Sequence, residues 1–188
     1  KVILPKFVCF GPYSKIAPVL FAPKEVKNNL GSLLAKKGKT QVRIAETEKY
    51  AHVTYFFNGG NEKVYKNEVR ILIPSSNISS YDQKPAMSSR EITSRTVQAI
   101  KDGSDDFIII NFANADMVGH TGNLEKTIEA IEILDNLVGD IVDTILSYDG
   151  VILITSDHGN AEEMYNLQTG EINKEHTNNS VPLFIIGQ

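Results

Sequence analysis

The sequence predicts an α/β fold built on a largely parallel sheet, and three observations predict it. Two apolar runs of strand length, residues 107–112 and 151–154, lack alternation, the mark of strands covered on both faces. Between them, residues 123–148 form a long amphipathic helical pattern, with Leu124, Ile128, Ile131, Leu134, Leu137, Val138, Ile141 and Ile145 on one side. Strand, helix, strand in that order is a βαβ crossover, which joins parallel strands.

The remaining elements follow from local chemistry. Residues 1–23 hold four of the seven prolines, Pro5, Pro12, Pro18 and Pro23. Proline fixes its own backbone and removes a donor, so this stretch reads as an extended connecting segment. Over 24–37, Val26, Leu30, Leu33 and Leu34 recur at helical spacing, and Gly38 is a stop signal. Residues 41–45 alternate and read as a strand. Residues 53–57 read as a second, aromatic-rich strand halted by Asn58-Gly59-Gly60, and 69–73 as a third, closed by Pro74. Over 88–101 the pattern predicts a helix capped by Ser88, with Glu91 three residues on completing a capping box. Residues 181–186 read as a further buried strand.

Composition narrows the function classes. A chain of 188 residues corresponds to one domain on the prior of about 150 residues each. Lys and Arg total 19 against 23 Asp and Glu, a net charge of −4, which argues against phosphate-driven nucleic-acid binding and against a basic membrane-surface protein. No apolar run reaches the ~18 residues needed to cross a bilayer. Residues 1–5 are too short, and too soon broken by proline, for a secretory signal. Cys9 is the single cysteine, so no internal disulfide forms; a reducing compartment, the cytoplasm, is expected. The first residue is not Met, which reads as processing or as a piece of a longer chain.

Chemistry-bearing residues in open parallel sheets gather beyond the carboxyl ends of the strands. After the first apolar run comes Asn114-Ala115-Asp116-Met117-Val118-Gly119-His120; after the second, Ser156-Asp157-His158-Gly159-Asn160; before the third, Glu175-His176-Thr177. Three of the four histidines fall there. Asp with His suits a divalent transition metal. Asp116 and His120 are four apart, so one turn aims both at one ion. Asp157 and His158 are adjacent and point different ways from extended backbone, so they serve two ions, or one ion while the other residue orients the site. Together the clusters fit a two-metal centre of the kind that clamps a phosphoryl group. Each also has a plainer reading: Asp116 and His120 as a capping or surface pair, Asp157 and Gly159 as a turn, His176 as a loop residue. Lys49, just beyond a strand end, offers a point charge to a phosphate or sits with His52 in a solvated charged loop.

Apart from His176, these residues fall among stretches 45–54, 56–60, 81–88, 111–122 and 156–164, five motifs whose order and wording resemble the cofactor-independent (2,3-bisphosphoglycerate-independent) phosphoglycerate mutases of the alkaline phosphatase superfamily. The resemblance implies an alkaline-phosphatase-like domain, a parallel sheet with helices on both faces, here truncated at both ends. On it, residues 1–23 connect from an absent phosphotransferase domain, and 24–188 are part of the metal-binding phosphatase domain. It implies interconversion of 3-phosphoglycerate and 2-phosphoglycerate in glycolysis, through a phosphoserine intermediate and with two Mn²⁺ ions; Mg²⁺, Co²⁺ or Zn²⁺ are alternatives. Asp116, His120 and His176 resemble the ligands of one ion, Asp157 and His158 two ligands of the other, and Lys49 the lysine near the transferring phosphoryl group. The family's serine nucleophile, and an aspartate that completes its metal site, lie in an N-terminal segment and match no position here. The chain alone is therefore expected to lack mutase activity, its partners being the small-molecule substrate and the missing segments. Alternatives are a metal-dependent phosphatase or phosphopentomutase of the same superfamily, or a non-catalytic metal-binding domain.

Overall fold

The computed structural model describes residues 7–22, 24, 26–166 and 168–187. Of the expected connecting segment, residues 1–6 and Pro23 lie outside the described residues. The architecture is organised on β1 (Gln41–Glu46), whose six residues are all buried. Parallel strands β2 (Glu68–Ile73) and β3 (Phe107–Asn111) flank it, in the order β2-β1-β3. Gln41 lies beside Glu68 and Phe107, and Ala45 beside Leu72 and Asn111.

Side chains alternate across a strand, so β1 feeds two layers. Val42 and Ile44 join Ile73 and Ile92 in the core, with Ile71, Ile108, Ile110 and Phe112 packed around them. Ile92 belongs to α2 (Ser89–Asp102), which covers that face. The opposite face carries Gln41 and the fully buried Arg43. Gln41 Nε2 donates to the Gly31 carbonyl of α1 (Leu30–Lys36), 3.1 Å away. Arg43 donates to Gln41 Oε1 (2.6 Å) and to the Val53 carbonyl (3.3 Å), and its guanidinium lies 4.4 Å over the Phe57 ring. Burial lowers the Arg43 pKa. These contacts explain α1. Its apolar Leu30 and Leu33 stay exposed while Gly31 and Ser32 face inward, because a Cβ at Gly31 would stand 2.6 Å from Arg43 Nη2. The helix is also shorter than 24–37: the Asn29 side chain accepts from Ser32 N and sets its start.

Residues 53–57 are not a strand. The Val53 carbonyl accepts from Arg43 Nη1 and the Phe57 ring lies under its guanidinium, and His52–Phe56 form one π-helical turn on that face. Ser88 precedes α2, but the capping box does not form. Ser88 Oγ donates to the Pro74 carbonyl and its N–H to Glu46 Oε1, so its side chain is spent on β1 and the loop after β2.

The single sheet implied by the crossover is divided in two. The chain runs from β3 through α3 (Asn114–Gly119) and α4 (Leu124–Ser147) to β4 (Ile152–Thr155), which pairs antiparallel with β5 (Leu183–Ile186). Among the described residues, β4 does not pair with β3. The expected burial fails with it. Every β3 residue is half-buried, and Leu153 and Ile185 are 63% and 67% exposed, since the described residues leave one face of this two-stranded ribbon uncovered while Ile152 and Ile154 are half-buried on the other. The long helix behaves similarly: Thr127, Ala130, Leu137 and Ile141 pack inward, while Ile128 and Ile131 are exposed. Its start is as read, with the Asn123 side chain accepting from Lys126 N at 3.2 Å. No helix among the described residues is long and apolar enough to cross a membrane.

Two outcomes follow. Ile44 is 0% exposed at the centre of the core, so Ile44→Ala lowers the unfolding free energy by about 2–5 kcal/mol in chemical denaturation. At the other end of the sheet, the hydrogen bond from Lys39, followed by those from Thr40, pulls the Asp106 carboxyl down to about 2. A lowered carboxyl pKa contributes stability above its unfolded value of about 3.9, lost as pH falls through the folded value. Asp106→Asn therefore flattens the decline of thermal stability between roughly pH 4 and 2, measured by melting across that range.

Candidate metal centre

Three loops at the carboxyl ends of β3 and β4 and before β5 build the site. After β3 the chain turns into α3, held by two contacts. Fully buried Asn114 donates Nδ2 to the Pro85 carbonyl at 2.6 Å, and Val118 is buried beneath α4. Gly119 is required by contact: a Cβ there would lie 2.0 Å from Asn160 Oδ1. One helical turn thus carries Asp116 and His120, whose Oδ1 and Nε2 are 3.0 Å apart.

After β4, residues 156–160 are clamped to 176–179. Thr177 N donates to the Gly159 carbonyl at 2.9 Å. Glu162 accepts from Asn160 N (2.7 Å), from Asn179 Nδ2 (3.1 Å) and from the Thr177 hydroxyl. Burial pushes the Glu162 carboxyl up, but these donors overcome it and hold it below its ordinary value. The clamp brings His176 to the site and stacks it on His158, with ring centroids 3.7 Å apart at 25°.

The structure therefore gathers Asp116, His120 and His176, with ligand atoms within 4.8 Å of one another. His176 Nε2 is 3.2 Å from Asp116 Oδ1 and 3.0 Å from His120 Nε2. His120 Nδ1 lies 2.5 Å from the Lys174 carbonyl, which places its proton on Nδ1 and leaves Nε2 a bare lone pair facing Asp116. Asp116 Oδ1 is buried and accepts no hydrogen bond. Three electron-rich atoms thus meet about 3 Å apart, repulsive without a positive charge between them; a divalent ion with bonds of about 2.0–2.2 Å fits such a triangle. The donor set, one carboxylate and two imidazoles, is that of Zn²⁺, Mn²⁺ or Co²⁺ sites rather than Ca²⁺.

Lys49 is 4% exposed, so the solvated-loop reading does not hold. Its Nζ lies 2.6 Å from Asp116 Oδ2. Burial pushes the Asp116 carboxyl up, but the hydrogen bond and charge of Lys49 outweigh it and hold Asp116 ionised below the usual range. Asp157 and His158 are expected to point apart, but Asp157 Oδ1 lies 3.7 Å from His158 Nε2, so the two present one oxygen and one nitrogen to the same side. His158 turns to His176, while Asp157 Oδ2 faces His52 Nε2 at 4.0 Å. Between the two halves lies a cleft of about 110 Å³ lined by Lys49, Asn111, Asp116, Ser156, Asp157 and His158. His52, Asn160 and Glu162 stand out only in three dimensions; all three lie in sequence stretches already quoted, but nothing in spacing distinguishes them from loop residues.

The metalloenzyme superfamily profile matches residues 12–188. The chain is 52% identical over 183 residues to 2,3-bisphosphoglycerate-independent phosphoglycerate mutase 2 of Methanosarcina barkeri, covering 96% of this chain and 35% of that protein. It is 48% identical to the mutase of Clostridioides difficile, covering 97% and 36%. A crystal structure of Leishmania mexicana phosphoglycerate mutase at low cobalt concentration superposes with a TM-score of 0.84 at 33% identity, covering 90% of this chain and 33% of that one. The chain spans about a third of the length of the curated relatives it matches. With an α/β fold shared with that mutase, this chain belongs to the metalloenzyme superfamily.

Proposed function

We propose that this chain is the metal-binding part of a 2,3-bisphosphoglycerate-independent phosphoglycerate mutase, interconverting 3-phosphoglycerate and 2-phosphoglycerate in cytoplasmic glycolysis. The observation that carries the reading is the convergence of Asp116, His120 and His176 on one point beside a buried lysine. These three residues would hold one Mn²⁺ ion, and Asp157 with His158 would contribute to a second, the other ligands coming from segments outside this chain. Residues 24–188 then form part of a phosphatase domain, with the segment before them leading from a phosphotransferase domain.

When bound, such ions neutralise phosphoryl oxygens and lower the pKa of an attacking hydroxyl. The chain's own residues do the rest. Asp116 divides its carboxylate, Oδ2 to Lys49 and Oδ1 toward the two imidazoles, so the lysine both fixes the carboxylate and keeps it ionised. Lys49 also lines the cleft, where a phosphoryl oxygen would accept from its ammonium; phosphoryl transfer needs such positioning and charge more than covalent help. The Lys174 carbonyl keeps the His120 proton on Nδ1, away from the cation. Water is kept from one side by the burial of Lys49 and of Asn160, which are 4% and 5% exposed.

The test has two arms. Titrated with Mn²⁺ and followed by the free-ion electron paramagnetic resonance signal, His120→Ala and His176→Ala bind the first ion at least about 100-fold more weakly than the unaltered protein. At its natural length the protein converts 3-phosphoglycerate to 2-phosphoglycerate in an enolase-coupled assay, and Asp116→Asn loses that activity. Unaltered Mn²⁺ affinity in His120→Ala, or full turnover in Asp116→Asn, refutes the reading. The clamp gives a further outcome: Glu162→Gln weakens the first ion about 10-fold, because the loop bearing His176 loses its hold on residues 158–160 while the ligands themselves remain.

A further inference from the structure

We infer that His52 is a positioning residue for Asp157, holding that carboxylate as Lys49 holds Asp116. The inference rests on the reading of Asp157 and His158 as ligands of a second ion.

Lys49 and His52 stand three residues apart on consecutive helical turns, so they share a face. From that face each meets a carboxylate from a different strand end. Lys49 Nζ reaches Asp116, beyond β3, at 2.6 Å, and His52 Nε2 faces Asp157, beyond β4, at 4.0 Å. Since β3 and β4 belong to different sheets, this short segment is where charge from one loop addresses both halves of the site.

The imidazole is set for the role. Its ring stands edge-on to Phe56, with centroids 5.3 Å apart at 65°, which limits rotation. Nδ1 is buried and has no hydrogen-bond partner. A buried N–H without an acceptor costs more than a bare lone pair, so the proton belongs on Nε2, the nitrogen facing Asp157. A closure of about 1 Å turns that approach into an Nε2–H···Oδ2 hydrogen bond. Asp157 Oδ1 then remains on the side of His158 Nε2, 3.7 Å away. The division of labour matches that at Asp116: one oxygen taken by a donor from the 49–52 segment, the other left to face imidazole nitrogen. A single π-helical turn at this point fits the recurrence of such turns at functional sites.

The test is Mn²⁺ titration of the protein at its natural length, resolving two binding steps, with Co²⁺ visible absorption as a second readout of each site. His52→Phe keeps the aromatic packing and removes the donor; His52→Gln keeps an N–H donor near the Nε2 position. His52→Phe is expected to weaken the second step 10- to 100-fold, to leave the first within about twofold, and to change the Co²⁺ spectrum of the second site alone. His52→Gln recovers most of the loss. An unchanged second step in His52→Phe, or equal weakening of both steps, overturns the inference while leaving the ion sites standing. Absence of a second step in the unaltered protein overturns the reading of Asp157 and His158 and this inference with it.

Discussion

The Asp116 carboxylate is held by a buried ammonium on one oxygen and turns the other toward two imidazole nitrogens. Taking a lysine and an aspartate out of water costs several kcal/mol for each charge unless they pair closely. Here they pair at 2.6 Å, and that pairing depends on nearly every element of the larger sheet. Lys49 is delivered by the end of β1, the central strand, and Asp116 by the turn after β3, its direct neighbour. The parallel register that sets Ala45 beside Asn111 puts both residues at one rim.

The second half of the centre is tied to the first by weaker means. β4 and β5 form their own ribbon, so residues 157–158 are placed by loops rather than by the ladder that places Asp116. The hydrogen bonds of Glu162, the Gly159–Thr177 pairing and the stacking of His158 on His176 do this work. A carboxylate accepting three donors is a charge-assisted hub, stronger than neutral bonds of the same number. The two halves thus differ in rigidity: a buried ion pair on one side, an exposed clamp on the other.

The buried face of β1 opposite the core has a related logic. Arg43 lies under α1 and the π turn, and its contacts to Gln41, the Val53 carbonyl and Phe57 set the path of the segment running from Lys49 through His52. Its Nη donors are satisfied there while its buried Nε has no hydrogen-bond partner, so losing the Val53 contact would leave a second donor of this cation unpaired, which makes the turn's geometry hard to vary. The aromatic residues at 55–57 serve this packing and the His52 ring rather than a ladder.

Much of this was legible in the order of residues, because local signals are short-range. Asn123 announced the start of α4, periodicity located α2 and α4, and alternation or apolar runs marked all five strands to within two residues. The spacing of Asp116 and His120 is a property of one helical turn, so sequence alone was enough to pair them. Long-range competition decided the rest. Whether 53–57 became a strand depended on the buried Arg43 drawing in the Val53 carbonyl and the Phe57 ring, and whether Ser88 capped α2 depended on the nearness of Glu46 and Pro74. The approach of His176 to Asp116 and of His52 to Asp157 spans distances along the chain that no local pattern encodes; only the folded packing of separate loops could set them.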